Sequence, residues 1–337
     1  MPREEFAAPA QLWSGWNIES KVEGPARGIN TKEAAMSANT TIDPGTFFAK
    51  IEGNLTKIVW DHAVNNKTKL DEALKSDDVM MLEGDVTLGI LKGSNSTESI
   101  PIMAHPPTNE SDLSLEGFVN AVIEKNASKG IKLDFKSNEA FAASKSVLDK
   151  LRNDAKFPVI LNADILPGPV NATTKPVEAK SFLEQAKMYP QFILSVGWTT
   201  RYGKESNITE GRYTEDDAKA MLEELKKQQI TQPITYPVRA GLAANDTDVI
   251  KSLMKSSSEL TKNVTLTVWS STGDKVDAAR LSTLIKEIGV GKVYVDVPQD
   301  LMKSLNLSGA SNANVASVTL ATSLAVTVLL ASILRTV

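Results

Sequence analysis

Two acidic residues one position apart, Glu83 and Asp85, and a third acid, Asp134, each sit within a run of apolar residues. Alternation along a strand points Glu83 and Asp85 the same way. Two like charges side by side repel, so one carboxyl stays protonated unless a cation lies between them. With Asp134 from a neighbouring strand end, the set becomes three hard oxygen donors, which suits Mg2+ and also admits Ca2+. The chain has two histidines, His62 and His105, and each ends a β-rich run flanking these acids. Imidazole can give and take a proton near neutral pH. One ring can activate a hydroxyl or water while the other protonates the leaving oxygen, with a metal holding the phosphate between them. Among the weaker candidates, Arg239 could bind a phosphate oxygen bidentately or pair with a barrel carboxylate. Trp269 and Trp198 could stack on a ligand or pack at the rim. Asn162 and Asp164 belong to the proline-rich block LNADILPGP, which suggests a rigid loop over the site, and Asp164 could be a further ligand or a histidine partner.

The elements that must bring these residues together follow a rhythm. Nine β-rich runs, from TKIVWDHA to GKVYVDV, alternate with amphipathic stretches such as SLEGFVNAVIEKNASK and TEDDAKAMLEELKKQQ. Continuous apolar strands separated by helices indicate a parallel sheet covered by helices. Over about 250 residues in one unbroken series the leading architecture is an α/β (β/α)8 TIM barrel as a single domain. Nine runs exceed eight strands by one, and one of the later runs is expected outside the barrel. Almost every run ends in a polar or aromatic residue, including Asp61, His62, Lys136, Arg239 and Asp296. In this fold those ends converge on one face.

Composition bounds the chemistry. The 337 residues contain no cysteine, which excludes a thiol nucleophile, a cysteine zinc site, an iron–sulfur cluster and a disulfide framework. A formal charge of -4 without a basic block argues against a nucleic-acid partner.

Read in order, the blocks WDHAVNN, MLEGDV, PIMAHPP, GIKLDFKS, LNADILPGP, SVGWTT, PVRA and LTVW resemble the signature of the menorin family. More broadly, H-x-V-N, E-x-D and D-x-K are similar to the phospholipase-C-like phosphodiesterase barrels, which include glycerophosphodiester phosphodiesterases and sphingomyelinase D toxins. The resemblance covers about residues 54 to 300. It implies His62 and His105 as the acid/base pair, Glu83, Asp85 and Asp134 as Mg2+ ligands, Lys136 as a phosphate or carboxylate partner, and Asn65 as a residue that orients substrate. Two departures bear on substrate: Ala63 stands where glycerophosphodiesterases carry arginine, and no cysteine is present to brace a catalytic loop. The implied ligand is a phosphodiester or phospholipid head group. The menorin resemblance implies instead a non-catalytic cell-surface cofactor in adhesion or dendrite patterning, with adhesion receptors as partners.

The ends of the chain speak to location. Eleven Asn-X-Ser/Thr acceptors, more than the asparagine and hydroxyl content produces by chance, indicate a glycosylated extracellular chain. Residues 1–50 are expected as a poorly ordered extension, 51–305 as the barrel, and 306–337 as a polar spacer with a hydrophobic tail. The uncharged run Val315–Leu334 is read as a glycosylphosphatidylinositol signal, with a single membrane-spanning anchor or a buried helix as the other readings. The segment MPREEFAAPAQLWSGWNIES lacks the apolar core of a signal peptide, so a signal is expected outside this sequence.

Overall fold

The computed structural model describes residues 40–125, 128–261 and 263–310. Eight parallel strands follow one another around a nearly closed sheet: β1 (Trp60–Asp61), β2 (Met81–Leu91), β5 (Gly130–Phe135), β6 (Val159–Leu166), β7 (Ile193–Trp198), β8 (Ile234–Arg239), β9 (Val264–Trp269) and β10 (Val293–Asp296). This is the expected TIM-like α/β barrel. Two further strands, β3 (Ile100–Met103) and β4 (Glu110–Ser111), pair only with β2.

The run outside the barrel is therefore IPIMAH, the third rather than a later one. Its cause is the length of β2, which at 11 residues overruns the rim. The overrun pairs antiparallel with β3, Val86 opposite Met103 and Gly89 opposite Ile100.

Each barrel strand alternates between two environments, as the pleat requires. On β5, Ile131, Leu133 and Phe135 face outward and are buried under the helices. Phe135, Phe141 and Phe182 meet there edge to face, at 4.6 and 5.0 Å between ring centres. Burying such side chains stabilises by roughly 1.5–3 kcal/mol each. Inside the barrel the residues change with depth. Met81, Ile160, Ile193 and Tyr294 form an apolar floor with Phe48, Ile51, Leu55 and Ile58. The last four belong to the segment before β1, part of which falls in the expected N-terminal extension. Above that floor the interior turns polar, with Ser195 bonded to Asn162 at 2.5 Å and Thr235 to Thr267 at 2.8 Å.

The helices begin where the sequence supplies caps. Asn66 accepts from Lys69 N at the start of Lys67–Lys75, and Thr214 with Asp217 forms a reciprocal capping box on Glu215–Lys227. The amphipathic stretch AFAASKSVLDKLRND divides at Ser144 between the helices Asn138–Ala143 and Lys145–Asp154. Among the described residues no helix is long and apolar enough to cross a membrane. The hydrophobic tail lies outside the described residues.

The hairpin of β2 and β3 depends on Gly89, where an added Cβ would lie 2.2 Å from the backbone oxygen of Asn109. We expect Gly89→Ala to unseat β4 and loosen the hairpin while the barrel stays folded. Hydrogen exchange should show faster exchange at the Met103 and Ile90 amides and unchanged protection in β6 and β7. Equal protection at all of these sites would refute this.

Candidate functional site

The C-terminal ends of the strands meet in one polar cluster. Glu83, Asp85 and Asp134 each offer a carboxylate oxygen, and these oxygens lie within 4.8 Å of one another. Register explains the convergence, since Asp85 pairs with Asp134 across β2 and β5, and Asn162 on β6 pairs with Asp134.

Each acid is held by specific partners. Asn65 donates to Asp85 Oδ2 at 2.7 Å, and its own oxygen accepts from the Asp85 amide at 2.9 Å. Asn162 donates to Asp134 Oδ1 at 2.7 Å. Lys136 bridges Asp85 at 2.8 Å and Asp134 at 2.6 Å. Burial of Lys136 opposes its charge, but Asp134 and Asp85 outweigh it and hold the ammonium above its ordinary range. Thus Asn65 and Lys136, expected at the substrate, are engaged with the acids themselves.

His62 is gripped from two sides. Nδ1 lies 3.2 Å from Glu83 Oε2 and Nε2 lies 2.6 Å from Asp296 Oδ1. Both partners are carboxylates, so both ring nitrogens donate and the ring is an imidazolium. Burial works against that charge, yet the bonds to Asp296 and Glu83 raise the His62 pKa to about 10. Burial likewise opposes the charge on Glu83, and the His62 bond overcomes it and lowers the carboxyl. The loop is turned for this contact: Ala63 adopts a left-handed φ of 48°, and its amide donates to Glu83 Oε2 at 2.9 Å. Lys69 secures the same loop through the His62 carbonyl and through Asp61 at 3.3 Å.

His105 arrives by another route. The Ala104 amide donates to the Asp85 carbonyl at 3.0 Å, which seats the returning strand beside the acids. His105 Nδ1 lies 2.6 Å from the Pro106 carbonyl. A carbonyl only accepts, so Nδ1 carries the proton and a neutral ring leaves Nε2 as an acceptor. Asp164 enters the same chamber from β6. Burial and then the nearby Asp134 charge push its pKa up to about 7.

For three further candidates the geometry matches the packing or pairing alternative. Trp198 follows Gly197, which faces inward, and so points outward into the core against Tyr213 and Tyr236 at 5.3 and 6.2 Å. Strand alternation therefore removes it from any ligand. Arg239 pairs bidentately with Asp274 at 2.8 and 2.9 Å and donates to Thr200 and Ser271. It also lies over the Trp269 ring at 4.9 Å, so these two brace one another at the rim. Asp296, a strand-end acid with no role from sequence, proves to be the second partner of His62. Only the neighbourhood of β1 and β10 at the barrel closure could have signalled it.

The fold and site define a parallel α/β-barrel protein with an acidic, histidine-flanked centre at the mouth. Residues 54–302 match the Menorin N-terminal domain. The human protein FAM151B is 37% identical over 242 residues, which is 72% of this chain and 82% of that protein. The chain belongs to the menorin family.

Without a metal, the stability that His62 gains from its proton is fully present below the ordinary pKa of 6.5 and is lost as pH rises through about 10. Because the ring is half exposed, removing one partner costs roughly 1–2 kcal/mol after screening. Asp296→Asn should lower the melting temperature by about 2–6 °C at neutral pH. It should also flatten the fall in stability across that window in melts run with a chelator. Identical curves for the two proteins would count against the clamp.

Proposed function

We propose that this chain is a metal-dependent phosphoric diester hydrolase of the extracellular membrane surface, acting on a phospholipid or glycerophosphodiester head group. One observation carries the reading: the oxygens of Glu83, Asp85 and Asp134 converge beside His62, which two carboxylates hold, and below the loop that carries His105. The donor set fits a hard divalent cation, being all carboxylate oxygen. Charge supports the fit. Five carboxylates at the mouth (Glu83, Asp85, Asp134, Asp164, Asp296) face three cations (His62, Lys132, Lys136), an excess of two negative charges with Asp164 ionised and of one with it protonated. The raised Asp164 pKa has the same origin in crowded carboxylates. A bound Mg2+ would polarise a phosphoryl oxygen and balance that excess.

The chain's own residues divide the proton work. His105 offers Nε2 as the base that takes a proton from water or an attacking hydroxyl. His62 holds the proton that a leaving oxygen requires. Glu83, shared between His62 and the cation position, ties the acidity of His62 to the loading of the site. Asn65 and Asn162 fix the carboxylates, so the donor set is arranged before ligand arrives.

A second reading, a barrel that engages adhesion receptors without turnover, is favoured by the occupation of both His62 nitrogens. Mg2+ titration by calorimetry and hydrolysis of phosphodiesters by the full-length protein separate the two. The enzyme reading requires Mg2+-dependent turnover, reduced by about 10²–10⁴-fold in His62→Ala and His105→Ala. Glu83→Gln should abolish metal binding. No turnover and no metal uptake by a folded protein would reject the hydrolase.

The location rests on the sequence. Of the eleven acceptors, Asn66, Asn95, Asn109, Asn171, Asn207, Asn263 and Asn306 are exposed. Phosphatidylinositol-specific phospholipase C should release the protein from intact cells if the tail is a lipid-anchor signal. Retention at the surface would favour the spanning anchor.

A further inference from the structure

Two lysines are buried as deeply as core residues, and they differ in one respect. Lys129, 4% exposed, donates to the Val79 carbonyl at 2.6 Å and to the Ser76 carbonyl. Lys132, 6% exposed, has no hydrogen bond or ion pair among the described residues. Alternation on β5 puts Lys132 on the face of Asp134 and Lys136, one pleat deeper in the barrel. It pairs in register with Glu83, and its charge helps hold Glu83 down and counters the rise at Asp164. Glu83 and Asp164 are thus near enough to feel the ammonium without bonding to it.

A lysine whose stem is held among buried side chains while its ammonium finds no hydrogen-bonding partner opposes folding. Such a group persists when something else uses it. The cations that contact carboxylates at the strand ends are occupied: Lys136 by Asp85 and Asp134, Arg239 by Asp274, and His62 by Glu83 and Asp296. Among the buried cations whose charge reaches the acid cluster, Lys132 is the one with donors left to offer.

We infer that Lys132 is a ligand-binding residue, whose ammonium takes an anionic oxygen of the bound molecule at the floor of the barrel mouth. The ligand class is an oxyanion, phosphoryl or carboxylate, that reaches past the carboxylate cluster. A quaternary ammonium group at this depth would meet the Lys132 charge and be repelled. The inference depends on the hydrolase reading only for the choice of phosphate over carboxylate.

The test uses full-length protein with Lys132→Met, which keeps the stem and removes the charge, and Lys132→Gln, which keeps a donor. Inorganic phosphate and acetate are titrated by calorimetry with and without saturating Mg2+, alongside melting temperatures and a Mg2+ titration. We expect Lys132→Met to melt at or above the wild-type temperature and to weaken oxyanion binding by at least about tenfold. Lys132→Gln should fall between them, and it supplies the comparison if Lys132→Met does not fold. Loss confined to phosphate or to acetate identifies the oxyanion. Binding within about twofold of wild type, with a lowered melting temperature, would show Lys132 to be a structural counter-charge and overturn the inference. Failure of the wild type to bind either anion would overturn it too. Absence of Mg2+ uptake would defeat the hydrolase reading alone, because the metal-free titrations still decide Lys132.

Discussion

His62, held between Glu83 on β2 and Asp296 on β10, is the contact on which the rest of this structure depends. Among the described residues no strand ladder joins β1 to β10. The seam is instead closed by side chains, with the His62–Asp296 bond above and the edge-on Trp60–Tyr294 contact at 5.9 Å below. Glu83 and Asp296 are buried, and each alone would be a costly charge. The imidazolium makes both tolerable while it ties the first barrel strand to the last. Closing the barrel and setting the site are therefore one physical event. The left-handed Ala63 follows from it, since only that turn lets the ring and the amide reach Glu83 together.

The same contact sets the character of the barrel interior. An apolar floor of Met81, Ile160, Ile193 and Tyr294 supports a layer in which nearly every polar atom has a named partner. Three groups in one chamber stand out. Asp296 Oδ2 is buried without a bond, Lys132 has no partner, and Asp164 is raised by its neighbours. Unsatisfied polar atoms normally mark error or use. Others lie elsewhere among the described residues, at Gln191, Asn138, Trp198 Nε1 and Thr199 Oγ1, but Asp296 Oδ2 and Lys132 adjoin the converging carboxylates, where a ligand could restore the stability given up.

Much of this was legible in the sequence because it obeys local rules. Alternation predicts that Glu83 and Asp85 share a face, and the succession of apolar runs predicts the parallel barrel. Asp134 and both histidines follow from strand ends. What was not legible depends on distance through space. Nothing near Asp296 in the chain says that the barrel closes onto His62. Nothing near Arg239 announces Asp274, which lies on a loop after the next strand. Trp198 looked like a strand-end platform because the inward or outward phase of a strand is fixed by neighbours. Lys132 was equally visible, two residues before Asp134, yet a lysine within an apolar run carries no sign of whether it finds a partner.

The two histidines finally differ in what holds them. His62 is anchored to the barrel by two carboxylates, the Ala63 turn and Lys69. His105 is carried on the return of a hairpin that overruns the rim, and its ring bonds only to its own loop at Pro106. Elements with few buried contacts open at lower free energy than the core they rest on. The hairpin itself is anchored up to the residue before the ring, since Ile102, Met103 and Ala104 are buried. The His105 ring is therefore the less constrained of the two, and the His62 ring is the fixed one. Such a division follows from chain topology, because His62 joins the first barrel strand to the last, whereas His105 ends a strand that pairs with β2 outside the barrel.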